Sequence, residues 1–168
     1  MNVRGLRANF EELRLLCNQY NPQVVAVQEC QLRKDKIINL TVCNVHLPPS
    51  LDVNFSDLEH LIEQLPAPFV LVGDFNAHSP PWGDVRQDSR GQMVEKLLND
   101  YSLCLLNTGE PTYRHHSRHS FSVPDVSICD PSLAFKFDWQ THNDLCRSNH
   151  FPVIRKTSLR DNETVAEH

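Results

Sequence analysis

Apolar residues in this chain come in short runs that alternate with amphipathic stretches. The run Phe69-Val70-Leu71-Val72 follows Pro66 and Pro68 and stops at Gly73, the mark of a strand buried on both faces. If the chain stays extended past the glycine, Asp74 and Asn76 fall on one face of the strand and toward one pocket. Val24-Val25-Ala26-Val27 reads as a similar strand that delivers Gln28-Glu29 at its C-terminal end. Residues 1–6 read as the end of a strand turning at Gly5, and residues 37–45 as a strand closing on His46-Leu47-Pro48-Pro49, with a polar turn at residues 33–36 before it.

Between these runs the period changes to that of helices. Asn9 with Glu12 forms a capping-box pattern, and Phe10, Leu13, Leu16, Cys17 and Tyr20 share one face until Asn21-Pro22. Ser56 with Glu59 predicts a second cap, before a helix whose inner face is Leu58, Leu61, Ile62 and Leu65. Residues 89–101 predict a third helix with Met93, Val94, Leu97 and Leu98 inward. Ser79-Pro80-Pro81-Trp82-Gly83-Asp84 is too rich in proline for regular structure and reads as a loop over the strand end. Further short strands are predicted at residues 103–107, 112–114, 121–129, 135–140 and 151–156, before a polar tail. Strands alternating with helices, then dominating, define an α/β layered domain with mixed sheets and helices outside, with no internal repeat or linker.

The chain has 168 residues, enough for a single domain with a real core. The hydrophobic fraction of 40% and the charged fraction of 22% fit a soluble globular protein. A net charge of -5 lacks the basic stripe of a non-specific nucleic-acid binder, yet suits a site that concentrates a cation. No run is long enough to span a membrane and the N-terminus has no signal-peptide core, so an intracellular location, nuclear or cytoplasmic and not secreted, is expected. The 6 cysteines are scattered without Cys-x-x-Cys spacing and read as reduced core thiols. The histidine-rich segment at residues 113–119 lacks a cysteine or carboxylate at helical or hairpin spacing, which favours a solvated polar loop over a zinc site.

Polar residues recur where strands end: Asn2, Glu29, His46, Asp74, Asn76, Asp125 and Ser148-Asn149-His150. A single Glu at a strand end is more often a solvated surface group. Taken together, the set contains the parts of metal-assisted phosphodiester hydrolysis: hard oxygen ligands, a histidine, and carboxamides for phosphate oxygens.

These segments also occur in a recognisable order. Residues 2–9, Val27-Gln28-Glu29, Asn44-Val45-His46-Leu47-Pro48-Pro49, Gly73-Asp74-Phe75-Asn76-Ala77-His78, residues 106–112, Pro124-Asp125-Val126-Ser127 and Ser148-Asn149-His150-Phe151-Pro152 resemble the endonuclease/exonuclease/phosphatase superfamily. The wording is most similar to the apurinic-type endonuclease domain of arthropod non-LTR retrotransposons, from residue 1 to about residue 153. The resemblance implies a four-layered α/β sandwich, two mixed sheets face to face with helices outside, spanning residues 1–157 before a polar tail at 158–168. It implies Mg²⁺ or Mn²⁺ as cofactor and a DNA strand as partner, acted on by a monomer. Glu29 would be the main metal ligand, assisted by Asn2 and Asn149. Asp74 would position or deprotonate the attacking water, and Asn76 and Asn2 would hold phosphate. His150, oriented by Asp125, would bind the phosphate or move a proton, with His46 beside it and Thr112 and Ser148 contacting substrate.

This sequence departs from the family pattern in several places. Asn149 stands where relatives have aspartate, which keeps the shape and removes the charge. The span between Glu29 and His46 is short, so strands of one sheet are expected to be missing, with an exposed edge as the consequence. Met1 stands where relatives have a tryptophan after several residues of the first strand, and nothing resembling a reverse transcriptase follows Pro152, so one domain of a mobile element is expected. Two readings remain open: a metal-dependent endonuclease leaving a 3′-hydroxyl, weakened by Asn149 and the shortened middle, or an inactive domain that at most binds nucleic acid or protein. A small-molecule phosphatase of the same superfamily is disfavoured by the 77–82 loop.

Overall fold

The computed structural model describes residues 40–115 and 120–157. These run β1 (Thr41–His46), α1 (Phe55–Glu63), β2 (Phe69–Asp74), α2 (Ser89–Asp100), β3 (Cys104–Leu105), β4 (Tyr113–His115), β5 (Ser120–Ser122), β6 (Asp125–Cys129), β7 (Phe137–Thr141) and β8 (Val153–Thr157). A 4-stranded sheet has the order β1-β2-β6-β3, while β4 pairs with β5 and β7 with β8. The β1–β2 pairing is parallel and the others are antiparallel, so the central sheet is mixed. The parallel pair is joined through α1, because parallel neighbours need a crossover.

Strand β2 separates two cores. Its side chains alternate across the sheet. Phe69 and Leu71 join Leu58, Ile62, Val94, Leu97, Val126 and Ile128 on the helix-covered face. Val70 and Val72 join Leu106, Cys129, Leu133 and Trp139 on the other, where Phe137 and Val153 bring in the β7–β8 pair. That explains the uninterrupted apolar run: every residue of it lies in a core. The expected α/β sandwich is therefore present, with helices on one face of the mixed sheet and a second sheet on the other. None of the described helices is long and apolar enough to cross a membrane, and Cys43 and Cys104 are free thiols.

Several local expectations need correcting. The cap of α1 is Asn54 with Asp57, each side chain bonded to the other's backbone N–H at 3.1 and 2.9 Å, instead of Ser56 with Glu59. Asparagine here adopts the extended conformation a cap requires. The strand predicted at 121–129 is broken into β5 and β6, because Pro124 has no N–H and the Val123 N–H bonds the Asp84 carboxylate at 3.2 Å. The proline-rich loop contains a tight turn at Pro80–Trp82 that buries Trp82 completely, its indole N–H on the Ala77 carbonyl at 3.2 Å. The polar segment at 113–119 begins as strand β4. The elements predicted within residues 1–39, the tail at 158–168, and Asn2, Glu29, His116 and His119 lie outside the described residues.

Candidate active site

Neighbouring strands bring their ends into line. His46 is the register partner of Asp74 across the parallel β1–β2 pair, and Asp74 is the partner of Asp125 across the antiparallel β2–β6 pair. The C-terminal ends of β1 and β2 thus meet the N-terminal end of β6, and a cavity of about 480 Å³ opens there. In open α/β sheets this edge is where ligands bind.

Beyond Asp74 the chain turns instead of staying extended. Asn76 has φ 47, in the left-handed region that asparagine tolerates better than most residues. Its N–H donates to Asp74 Oδ1 at 3.0 Å and its Nδ2 donates to the Leu47 carbonyl at 3.1 Å. Asp74 and Asn76 do line one cavity, though a turn brings them there and strand alternation does not. Gly73 is required for the close approach of β1, since a Cβ on it would lie 1.8 Å from the Val45 carbonyl oxygen.

The Ser148-Asn149-His150 triplet follows a second tight turn, in which Cys146 and Arg147 both have left-handed φ, 49 and 61. Such conformations are costly for residues with side chains and persist only where surrounding bonds hold them. Here Ser148 Oγ accepts the His150 N–H at 3.1 Å, the Asn149 carbonyl accepts from Arg114 N at 2.9 Å, and Phe151 N donates to the Thr112 carbonyl at 2.8 Å. The result is a histidine clasped between two acids. His150 Nδ1 is 2.8 Å from Asp125 Oδ2, and Nε2 is 3.8 Å from Asp74 Oδ2. The Tyr113 ring packs edge-on against the imidazole, centroids 4.8 Å apart.

These neighbours shift ionisation. Burial, then the charge of Asp125, raises the Asp74 carboxyl above the ordinary carboxylate range, although His150, the Asn76 amide and His46 pull the other way. For His150, burial disfavours the charged ring, but the hydrogen bond and charge of Asp125, with Asp74, outweigh it and raise the pKa. The cluster holds a proton more tightly than its members would alone.

Most predicted residues meet here: His46, Asp74, Asn76, Ser148, Asn149 and His150 line the cavity, and Asp125 stands behind His150. Thr112 is not brought to the cavity wall. It is fully buried, and its hydroxyl accepts the Asp125 N–H at 3.2 Å, so it holds the acid in place. Asn107 does the same from the segment just after β3, donating to the Asp125 carbonyl at 2.9 Å and accepting from Ser127 N at 2.8 Å. Sequence reasoning missed Tyr113, His115 and His78 on the wall. It also missed Arg90, whose guanidinium donates to the carbonyls of Leu47, Phe75, Pro48 and Leu51 at 2.9, 3.1, 3.3 and 2.7 Å, tying the exits of β1 and β2 together. Nothing in the helical pattern of α2 singles out that arginine. Although the chain is acidic, the wall is rich in donors, including Arg147, the imidazoles and two carboxamides.

For a hard cation the described part offers oxygen donors on Asp74, Asn76 and Asn149, the correct chemical type. Among the described residues no group of three or more His, Cys, Asp or Glu could hold a metal ion. Asn2 and Glu29, the ligands expected from the sequence, lie outside the described residues.

Comparison with known proteins agrees with this geometry. The mixed α/β sandwich is that of an endonuclease-type fold family, and residues 40–154 match the model of the endonuclease–reverse transcriptase family. The chain belongs to that family, within the endonuclease/exonuclease/phosphatase superfamily, and is of the type found in non-LTR retrotransposons. It is 31% identical over 158 residues to the RNA-directed DNA polymerase from mobile element jockey of Drosophila melanogaster, covering 91% of this chain and 17% of that protein. The jockey protein of Drosophila funebris is 27% identical over 135 residues, which are 80% of this chain and 14% of that protein. The chain thus spans less than a fifth of those relatives. The solved endonuclease domain of TRAS1, a telomere-specific non-LTR retrotransposon, matches with a TM-score of 0.56 and 25% identity, covering 63% of this chain and 51% of that one.

Proposed function

We propose that the domain is a DNA endonuclease that hydrolyses phosphodiester bonds with Mg²⁺ or Mn²⁺ and leaves a 3′-hydroxyl. The observation that carries this reading is His150 hydrogen-bonded to Asp125 and facing Asp74 at the end of a donor-lined cavity. Asp74, with its raised pKa, is matched to accepting a proton from an attacking water. His150, its pKa raised by the hydrogen bond and charge of Asp125 against the effect of burial, donates in its charged form to the scissile phosphate and stabilises charge on it. Asn76 keeps one Nδ2 hydrogen on the Leu47 carbonyl and presents the other to a phosphate oxygen. Glu29, Asn2 and Asn149 would hold the divalent cation, which when bound would supply charge neutralisation at the phosphate.

A second reading, an inactive domain of the same fold that binds nucleic acid or protein, is favoured by one observation: a neutral carboxamide, Asn149, on the cavity wall where the family resemblance implies aspartate. A neutral carboxamide weakens any hard-cation site.

A plasmid-nicking assay in Mg²⁺ and in Mn²⁺ separates the two. The chain as given is expected to nick weakly, Asn149→Asp to nick faster, and Glu29→Ala and His150→Ala to lose activity. Strong nicking that survives both alanine changes sinks the site assignment. If neither the native chain nor Asn149→Asp nicks, while both unfold cooperatively, the binding-module reading stands.

A further inference from the structure

A second histidine–carboxylate pair sits on the same wall, and the reaction outlined above does not use it. His78 Nδ1 lies 2.7 Å from Asp84 Oδ2, and the two side chains retain only 13% and 7% of their exposure. The pair is firmly built. Asp84 Oδ2 also accepts the Val123 N–H at 3.2 Å, which fixes the carboxylate to the segment that leads into β6. The His78 N–H donates to Asp88 Oδ1 at 3.1 Å, the residue that caps α2, and the His78 carbonyl accepts from Asp88 N at 3.0 Å. Burial pushes the Asp84 carboxyl up, but the His78 hydrogen bond and the Val123 and Arg86 amides outweigh it and lower its pKa from the ordinary value.

The chemistry of the ring follows from that partner. A carboxylate accepts and cannot donate, so Nδ1 carries its hydrogen toward Asp84. The other ring nitrogen, Nε2, points away from Asp84, has no protein partner among the described residues, and belongs to a side chain lining the cavity of Asp74 and His150. A nearly buried imidazole oriented by an acid and left with one open nitrogen is an arrangement for contacting a ligand. A Trp82 anchor buried beneath the loop, and α2 pressed so close that a Cβ on Gly91 would lie 2.0 Å from the His78 carbonyl oxygen, remove the freedom to turn elsewhere.

We propose that His78 is a substrate-binding residue of this cavity: with Nδ1–H on Asp84, its positioning residue, the doubly protonated ring donates Nε2–H to a phosphate oxygen of the DNA strand beside the bond that is cut. The inference rests on the DNA-endonuclease reading and extends it to the proline-rich loop.

The test measures binding apart from cleavage. In the full chain carrying His150→Ala, which prevents turnover, affinity for a short fluorescein-labelled DNA duplex in Mg²⁺ is read by anisotropy. Adding His78→Ala is expected to weaken binding about tenfold or more, the loss of one charge-assisted hydrogen bond, while His78→Gln recovers part of it. Asp84→Asn is expected to weaken binding less and to alter the ¹⁵N tautomer signature of His78, which a purely structural role would leave alone. Thermal unfolding of each variant checks that the fold survives. Duplex binding that is equal with and without His78→Ala, the fold being intact, overturns this inference and leaves the endonuclease reading standing. No duplex binding by the native chain overturns both.

Discussion

Asp74 and Asp125 are register partners on adjacent antiparallel strands, and His150 bridges them, 2.8 Å from one and 3.8 Å from the other. Two carboxylates brought so close repel unless a cation lies between them. The His150 ring takes that place, which ties its position and its raised pKa to the ionisation of Asp74.

Asp125→Asn should therefore act on His150 without moving it far. The carboxamide keeps the size and removes the charge, so the His150 pKa should fall back toward the ordinary histidine value, seen by NMR titration. Nicking should drop by about 10²–10⁴-fold, the range for losing a positioned acid–base group. An unchanged His150 titration would sink the account of its raised pKa.

Stability should depend on pH with opposite signs at two sites. His150 has a raised folded-state pKa, so its contribution is full below about 6.5 and is lost as pH rises through that higher value. Asp84 has a lowered pKa, so its contribution is full above about 3.9 and is lost as pH falls through the folded value. Urea midpoints followed across pH should show His150→Ala flattening the alkaline side and Asp84→Asn the acid side. The reverse assignment would refute the pairing.

Thr112→Val should be costly although it is nearly isosteric. It leaves the Asp125 N–H unpaired beside a fully buried side chain, at about 1–3 kcal/mol. Denaturant unfolding reads the loss, and a change in His150 titration would show that Asp125 has moved with its backbone.

Trp82→Ala should destabilise the chain by about 3–5 kcal/mol, as for a fully buried aromatic side chain. Trp82→Phe should cost less, mainly through the Ala77 carbonyl left without its indole donor. Equal losses for the two variants would mean that the ring volume contributes little.

Gly91→Ala inverts the usual rule for helices. Replacing glycine by alanine inside a helix normally gains about 1 kcal/mol. Here the new methyl would lie 2.0 Å from the His78 carbonyl oxygen and 3.2 Å from Asp88 Oδ1. A loss of about 1–3 kcal/mol is expected, as for other forced contacts, and a gain in midpoint would show that α2 can give way.

By itself the sequence determined the elements that rest on local pattern. The run at 69–72 and the inner faces of α1 and α2 were readable because burial on one or two faces leaves a period in the residues. The strand-end polar residues and their family resemblance were readable for the same reason: Asp74, Asn76 and His150 sit within short, distinctive words. Caps and strand breaks were less legible, because Asn54 and Ser56 are both competent caps and only the path of the chain selects one. The pairing of residues far apart in sequence was decided by the tertiary structure alone. That Thr112 supports Asp125, that Arg90 gathers the carbonyls of two strand exits, and that His78 is turned by Asp84 follow from register and close approach, which no local period encodes. The donors on the cavity wall come from distant segments, so an acidic chain folds a phosphate-compatible site: net charge adds over the sequence, whereas a local field depends on which side chains the fold brings to one place.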